Sequence, residues 1–227
     1  MSDISLKEMV EHAVHFGHPT HKWNPKMKVY LYGKRHGIHI FDLKKTAEAL
    51  VKALDFLANA RRANKTILFV GTKQQSHLLL QDLHQATKMP IVTDKWIPGL
   101  LTNFKTIKKR IDYFKELKDQ DRKGGFDKYT KKEQGKLRKK IQDLSASLSG
   151  VESMEEVPDI LFVIDMVRDN IAVREARRLH IPVVAIADSN ADPDIVDYPI
   201  PANDDAIKSL EYILNLVKEA LTAKKEK

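Results

Sequence analysis

The chain has 227 residues, no cysteine and a net charge of +8, from 39 Lys/Arg against 31 Asp/Glu. This length suits one large domain, or one domain with an insertion, and it can bury a core without disulfides. The absence of cysteine excludes disulfides, thiolate metal sites and a cysteine nucleophile. No apolar run is long enough to cross a bilayer and no targeting peptide is recognisable, so we expect a cytoplasmic protein.

The first third of the chain combines helices with a basic, aromatic arm. Ser5 and Glu8 have the spacing of a capping box, and the apolar stripe after them predicts a helix that ends at residues 16–19, where glycine and proline stop it. Residues 21–28 are basic, aromatic and irregular. Short strands are predicted at residues 30–32 and 38–41, and a helix at about 45–63.

An alternation of strands and helices follows. Residues 66–70 are a continuous apolar run typical of a buried parallel strand. Further elements are predicted in this order: helix 74–88, strand 90–92, strand 159–165, helix 170–180, strand 182–188, an edge segment at 198–200 and a last helix capped by Asn203. This order predicts an α/β fold in which helices flank a mostly parallel sheet, a sandwich of the Rossmann or flavodoxin type.

Residues 103–150 interrupt this alternation. Apolar residues recur at steps of three and four on both sides of Gly124 and Gly125, which predicts an antiparallel α-helical hairpin with a coiled-coil seam. The segment carries 15 Lys/Arg against 7 Asp/Glu, and a narrow helix pair leaves these side chains to solvent or to a polyanion. The predicted division is therefore an α/β domain of residues 1–102 and 151–227, with an N-terminal arm that faces the polyanion, and an inserted basic hairpin of residues 103–150. Residues 151–200 carry 4 Lys/Arg against 11 Asp/Glu, and we expect the acidic residues after Val151 to face away from the polyanion.

The turn at Gly71 is a candidate phosphate loop, because a glycine turn after a strand exposes backbone N–H groups at a helix start. It lacks both the Walker spacing and the three-glycine dinucleotide pattern. A glycine needed for a tight turn, with Lys73 on a polyanion-facing surface, is the favoured interpretation. A nucleotide-binding α/β enzyme that uses this turn, with Asp165 or Asp188 at a strand end, is the alternative.

Histidines at positions 12, 15, 18 and 21 invite a metal interpretation, but Gly17 and Pro19 prevent them from sharing one helical face. Carboxylates offer a second candidate site, because Asp188 ends a strand and an aspartate pair begins a helix. Three oxygen ligands and one histidine suit a structural divalent cation. The hypothesis names His18, Asp188, Asp204 and Asp205, and no cofactor is required.

Aromatic residues among lysines favour RNA over a free charged hairpin, because such surfaces combine base stacking with phosphate neutralisation. Trp23 and Trp96 each adjoin lysine, and either one is expected to stack on a base or to anchor the fold. The predicted RNA contacts are Lys22, Trp23, Lys26, Lys28, Lys34, Arg35, Lys95, Trp96, Asn103, Lys105, Lys108 and Lys109.

The same residues give the chain a resemblance to the family of bacterial small-subunit ribosomal protein two, along nearly its full length. The matching stretches are residues 15–18, 23–27, 40–43, 68–73, 101–107, 158–165, 175–184, 192–193, 198–201 and 203–207. The resemblance implies an α/β sandwich with a protruding helical hairpin, and no catalysis or small-molecule substrate. It also implies binding to small-subunit ribosomal RNA between head and body. Implied protein partners are neighbouring ribosomal proteins, including the mRNA-binding ribosomal protein one.

One loop departs from that family. Residues 95–99 read Lys-Trp-Ile-Pro-Gly, where the family usually has Arg-Trp-Leu-Gly-Gly. Pro98 removes a backbone donor and Lys95 lacks the bidentate fork of arginine. We therefore expect the contacts of this loop to differ in detail from those of the family.

Overall fold

A computed structural model describes residues 4–223 of the chain. Its helices are Leu6–Glu11 (α1), Leu43–Arg62 (α2), His77–Thr87 (α3), Phe104–Arg122 (α4), Lys131–Leu148 (α5), Asn170–Arg178 (α6) and Ile207–Thr222 (α7). Its strands are Phe16–Pro19 (β1), Leu31–Arg35 (β2), Ile38–Phe41 (β3), Ile67–Val70 (β4), Ile91–Val92 (β5), Ile160–Val163 (β6), Val183–Ala187 (β7) and Tyr198–Pro201 (β8).

The centre of the molecule is a five-stranded parallel sheet in the order β5-β4-β6-β7-β8. Side chains alternate across it, so Ile67 and Phe69 pack with α2, α3 and α7, whereas Leu68 and Val70 pack with α6 and the start of α4. Both faces are covered, which explains why β4, β6 and β7 are buried at every position. The α/β class predicted from the sequence is confirmed.

The strand order creates a crevice between β4 and β6. The chain leaves β4 towards β5 on one side and β6 towards β7 on the other, so the connections diverge at the carboxyl ends of these two strands. Parallel α/β sheets place their polar sites at such a switch point. Gly71 follows β4 and Asp165 lies just beyond β6, so both residues meet at this crevice.

The N-terminal region differs from its prediction. Helix α1 ends at Glu11 instead of reaching residues 16–19, because the chain turns through a left-handed conformation at Ala13 (φ +57°). The following residues form β1, which pairs antiparallel with β3, and β2 pairs with the other side of β3. The predicted strands at residues 30–32 and 38–41 correspond to β2 and β3. Glycine and proline in β1 end a helix equally well, which is why sequence patterns do not predict this third strand.

Helices α4 and α5 form the protruding pair. They run antiparallel, since Arg138 Nε lies 3.2 Å from Asp121 Oδ1 and Lys140 Nζ lies 3.0 Å from Tyr113 Oη. Four residues of α4 are buried along the pair: Ile107, Ile111, Phe114 and Leu117. Coiled-coil packing and the domain boundaries stay predictions. Within residues 4–223, no helix has the length and apolar content needed to cross a membrane.

Candidate nucleic-acid interface

The crevice at the carboxyl ends of the strands holds a buried ion cluster centred on Lys73. Its Nζ lies 2.9 Å from Asp165 Oδ2, 2.7 Å from Asp204 Oδ1 and 2.8 Å from Asp205 Oδ1. Burial opposes the charge, but the attraction of Asp204 and the other two carboxylates raises the pKa of Lys73 above its ordinary value. The expectation of Lys73 on a polyanion-facing surface is therefore wrong, because this residue is 8% exposed and its ammonium neutralises the fold's own carboxylates.

His18 and Asp188 extend the cluster on its other side. Nδ1 of His18 lies 3.0 Å from Asp188 Oδ1, and its Nε2 lies 3.5 Å from Asp205 Oδ2. The close contact with Asp188 raises the pKa of His18, while burial and the repulsion from Asp188 raise the pKa of Asp204 to about 7. Carboxylates exceed cations here, so the cluster favours additional positive charge.

Three of the four predicted metal ligands converge. One ligand atom each of His18, Asp188 and Asp204 lies within 4.8 Å of the others. The fourth, Asp205, contacts His18 but gives its second oxygen to Lys73. Its neighbour Asn203 accepts N–H bonds from Asp205 and Ala206, and α7 begins at Ile207, so Asn203 shapes the preceding turn and does not cap the helix.

The Gly71 turn is built for packing. A Cβ at this position would lie 2.7 Å from Ser76 Oγ and 2.8 Å from Ile164 Cδ1, so only glycine fits. The backbone N–H of Thr72 donates to Asp169 Oδ2 at 3.2 Å, which occupies a donor that a phosphate loop would offer. The surrounding carboxylates also repel phosphate. The geometry therefore speaks against the nucleotide-binding alternative.

The N-terminal arm, residues 21–35, has four exposed basic side chains: Lys22, Lys28, Lys34 and Arg35. The ring of Trp23 is half-buried and lies 5.0 Å, between centroids, from that of His39. Lys26 behaves differently, since its Nζ lies 2.8 Å from Asp192 Oδ2 and 2.9 Å from Asp194 Oδ2. Lys26 therefore joins the arm to the loop before β8, and the other basic residues remain available to an external partner.

A buried carboxylate organises the loop between β5 and α4. Oε1 of Glu175 accepts hydrogen bonds from Trp96 Nε1 at 3.0 Å and from the Gly99 N–H at 2.7 Å. Its Oε2 accepts three more, from the Leu101 N–H at 3.0 Å and from the Thr102 N–H and Oγ1 at 3.1 Å each. Burial alone would raise the pKa of Glu175, but these bonds outweigh it and lower the pKa.

This arrangement explains two residues of the loop. Trp96 is 6% exposed and donates its Nε1–H to Glu175, so it anchors the fold, which is one of the two roles expected for it. Pro98 is not among the positions that donate to Glu175, so its missing N–H leaves that network whole. Sequence patterns do not identify Glu175 as a functional residue. The one unusual feature is that a charged residue occupies a position on the buried side of α6.

The base of the hairpin divides into free and paired lysines. Lys95, Asn103, Lys105 and Lys109 are exposed. Lys108 instead contacts Asp112 and Glu155, while further along α4 Lys115 and Lys118 contact Glu155 and Glu152. The acidic segment after Val151 thus lies along α4 and neutralises part of it. That these carboxylates face away from RNA stays a prediction.

Fold and site together define a class of α/β protein. In this class a buried ion cluster fills the crevice at the carboxyl ends of the parallel strands, and a basic helical hairpin is inserted after the second strand of the parallel sheet. Within this class, the chain belongs to the ribosomal protein S2 family, whose model matches residues 9–223. The resemblance seen in its motifs is confirmed. Membership of this family makes the chain a ribosomal protein and not an enzyme.

Curated relatives agree along the whole chain. The small ribosomal subunit protein uS2 of Coprothermobacter proteolyticus is 44% identical over 226 residues, which cover 100% of this chain and 84% of the relative. The protein of the same name from Petrotoga mobilis is 45% identical over 226 residues, covering 100% and 78%. The one from Geotalea uraniireducens is 46% identical over 221 residues, covering 97% and 86%.

Proposed function

We propose that this chain is a structural component of the small ribosomal subunit, where it binds ribosomal RNA between head and body. Neighbouring ribosomal proteins, including the mRNA-binding protein one, are its further partners. The observation that carries the proposal is the group of exposed basic residues on the arm and at the hairpin base, in a family whose named members are small-subunit proteins. This group consists of Lys22, Lys28, Lys34, Arg35, Lys95, Lys105 and Lys109.

The mechanism is phosphate neutralisation. Each lysine or arginine that meets a phosphate releases condensed counterions, so affinity falls steeply as salt rises. Trp23 is half-buried next to the exposed Lys22, and an aromatic ring beside a cation suits contact with an unstacked base. The α/β domain holds the arm and the hairpin base at fixed positions, because Lys26 and Glu175 tie each of them to the core.

Reversing two charges at the hairpin base tests this function. The double variant Lys105→Glu/Lys109→Glu removes two exposed cations without touching the paired Lys108. We expect its occupancy in purified small subunits to fall at least tenfold in competition with wild type, since two attractive phosphate contacts become repulsive. Mass spectrometry of subunits from cells that express both forms gives the ratio.

The matched control is Lys44→Glu/Lys52→Glu, which makes the same charge change at exposed positions of α2. We expect this variant to keep wild-type occupancy. Equal occupancy of the hairpin variant and wild type would contradict the proposed contact.

We also propose that His18, Asp188 and Asp204 bind a divalent cation. The supporting observation is the convergence of one nitrogen and two oxygen ligands within 4.8 Å beside an excess of carboxylates. This donor set suits Zn²⁺ with a water or a further carboxylate to complete its shell. Such an ion would join the N-terminal arm to the ends of the parallel sheet.

Zinc addition to chelator-treated protein tests this site. We expect the midpoint of thermal unfolding to rise by several degrees, because an ion that binds only the folded state stabilises it. Asp188→Asn should abolish the rise, whereas Asp143→Asn, at an exposed position of α5, should not. No ion in dialysed protein together with an unchanged midpoint after zinc addition would rule the site out.

A further inference from the structure

The second hairpin helix, α5, carries a dense set of cations that the proposed contacts at the hairpin base do not use. Residues 131–140 contain six Lys/Arg and one acidic residue, Glu133. That carboxylate is engaged, since Oε2 of Glu133 accepts from the Thr130 N–H at 2.9 Å and from Thr130 Oγ1 at 2.8 Å. Four lysines of this set are exposed, and within residues 4–223 no carboxylate lies within ion-pair distance of them: Lys131, Lys132, Lys136 and Lys139. The acidic segment that neutralises α4 does not reach these lysines.

Three of these lysines share the outer face of the helix. At 3.6 residues per turn, positions 132, 136 and 139 project within a narrow arc. The residues that face α4, Leu137, Ile141 and Leu144, lie on the opposite side and are partly buried. Like charges at spacings of three and four destabilise a helix. The free protein therefore gains nothing from this arrangement.

Gly135 lies on the same outer face. Its Cβ position has no neighbour within 4 Å and its backbone is not left-handed, so neither packing nor conformation requires glycine there. Glycine in an exposed helix interior is less stable than alanine. Gly135 therefore lowers the stability of α5 at the outer position between Lys132 and Lys136. Glycine is useful where the backbone of the protein must come close to a ligand, because it has no Cβ.

We propose that the outer face of α5, formed by Lys132, Gly135, Lys136 and Lys139, is an RNA-backbone binding site. A sugar–phosphate strand packs against the helix at Gly135, and the three lysines neutralise successive phosphates over about 10 Å of helix length. This site rests on the proposed function. It adds a second RNA contact, on a different helix from Lys105 and Lys109.

Gly135→Ala separates binding from folding, because its two effects have opposite signs. We expect the variant to unfold about 2–4 °C higher than wild type, as a better helix former. Its affinity for small subunits washed free of this protein should nevertheless fall about three- to tenfold, since the methyl group holds the strand away. The control is Asn215→Ala on an exposed face of α7, which should raise the midpoint and leave affinity unchanged.

The lysines are tested by salt dependence. In the triple variant Lys132→Gln/Lys136→Gln/Lys139→Gln, the slope of log affinity against log salt should become shallower by about 2 to 3, at about 0.7–0.9 per lost phosphate contact. The control Lys44→Gln/Lys52→Gln/Lys65→Gln loses the same charge at exposed positions elsewhere and should keep the wild-type slope. Wild-type affinity for Gly135→Ala together with a wild-type slope for the triple variant would overturn the site.

A tethered probe identifies the partner. Because the chain has no cysteine, Asp143→Cys gives a unique attachment point for an iron chelate one turn beyond Lys139 on the outer face. We expect hydroxyl radicals from it to cleave ribosomal RNA, and cleavage of a ribosomal protein alone would overturn the assignment to RNA. If wild-type protein fails to bind the washed subunits, the proposed function itself fails. If wild type binds and the variants bind equally well, only this site fails.

Discussion

Replacing Lys73 with methionine is expected to lower the free energy of unfolding by about 3–5 kcal/mol. The variant keeps the length of the side chain but removes the ammonium that contacts Asp165, Asp204 and Asp205. Removing one partner of a buried ion pair leaves uncompensated buried charge, and this costs more than an exposed pair ever contributes. The ionised carboxylates would then repel one another at the end of the sheet.

The pH dependence of this effect has a defined sign. The pKa of Lys73 is raised in the folded state, so its stabilising contribution is fully present below the ordinary lysine pKa and is lost only as pH rises through the raised value. The carboxylates in the variant can relieve their repulsion by binding protons. We therefore expect the deficit of Lys73→Met to be larger at pH 8 than at pH 5.

Urea unfolding at both pH values measures the deficit. Lys44→Met, at an exposed position, is the control and should change stability by less than about 0.5 kcal/mol. Adding Asp204→Asn to Lys73→Met should recover part of the loss, because it removes one of the stranded charges. A loss below about 1 kcal/mol at pH 8 would contradict a central structural role for Lys73.

Glu175→Gln is expected to cost about 2–4 kcal/mol, because five donors lose an ionised acceptor. A glutamine amide accepts with only one of its two terminal atoms and turns an NH₂ group towards N–H donors. The affected loop leads directly into α4, so the hairpin loses its firm attachment. Amide hydrogen exchange at Leu101 and Thr102 should therefore accelerate more than exchange in the parallel strands.

The sign of the pH dependence is opposite to that of Lys73. The pKa of Glu175 is lowered by folding, so its contribution is present above the ordinary glutamate pKa and is lost as pH falls through the lowered value. The difference between wild type and Glu175→Gln should shrink below about pH 4. Glu211→Gln on an exposed position of α7 is the control. Equal stability of Glu175→Gln and wild type at pH 7 would show that the loop between β5 and α4 does not depend on the Glu175 carboxylate.

The parallel sheet is predictable from sequence because its signal is local. The apolar runs before Gly71 and Asp165 have the length of buried strands, and the intervening helices have a clear 3.6-residue period. Strand β1 is not predictable in this way, because Gly17 and Pro19 suppress the apolar alternation that identifies a strand. Its pairing with β3 joins Phe16 to Ile40 and Pro19 to Ile38, which are 24 and 19 positions apart in the chain.

Some of the ionic contacts can also be predicted from sequence, and others cannot. Asp188 and Asp204 can be grouped from sequence, because a strand end and a helix start meet at one edge of a parallel sheet. His18 reaches them from β1 of the antiparallel sheet, which local patterns do not predict. The buried positions of Lys73 and Glu175 cannot be predicted from sequence, because a lysine after a glycine turn can point outwards or inwards equally well. Which partner a charged side chain finds 73 to 132 residues away is decided by tertiary packing, and no local pattern records it.

The most direct test of the account is sedimentation of cell lysate through sucrose gradients at low and at high salt, with detection of this protein. Attachment through phosphate contacts predicts co-migration with small ribosomal subunits at low salt and release to the top of the gradient at high salt. A peak of free protein at both salt concentrations would contradict the proposed place of this chain in the small subunit.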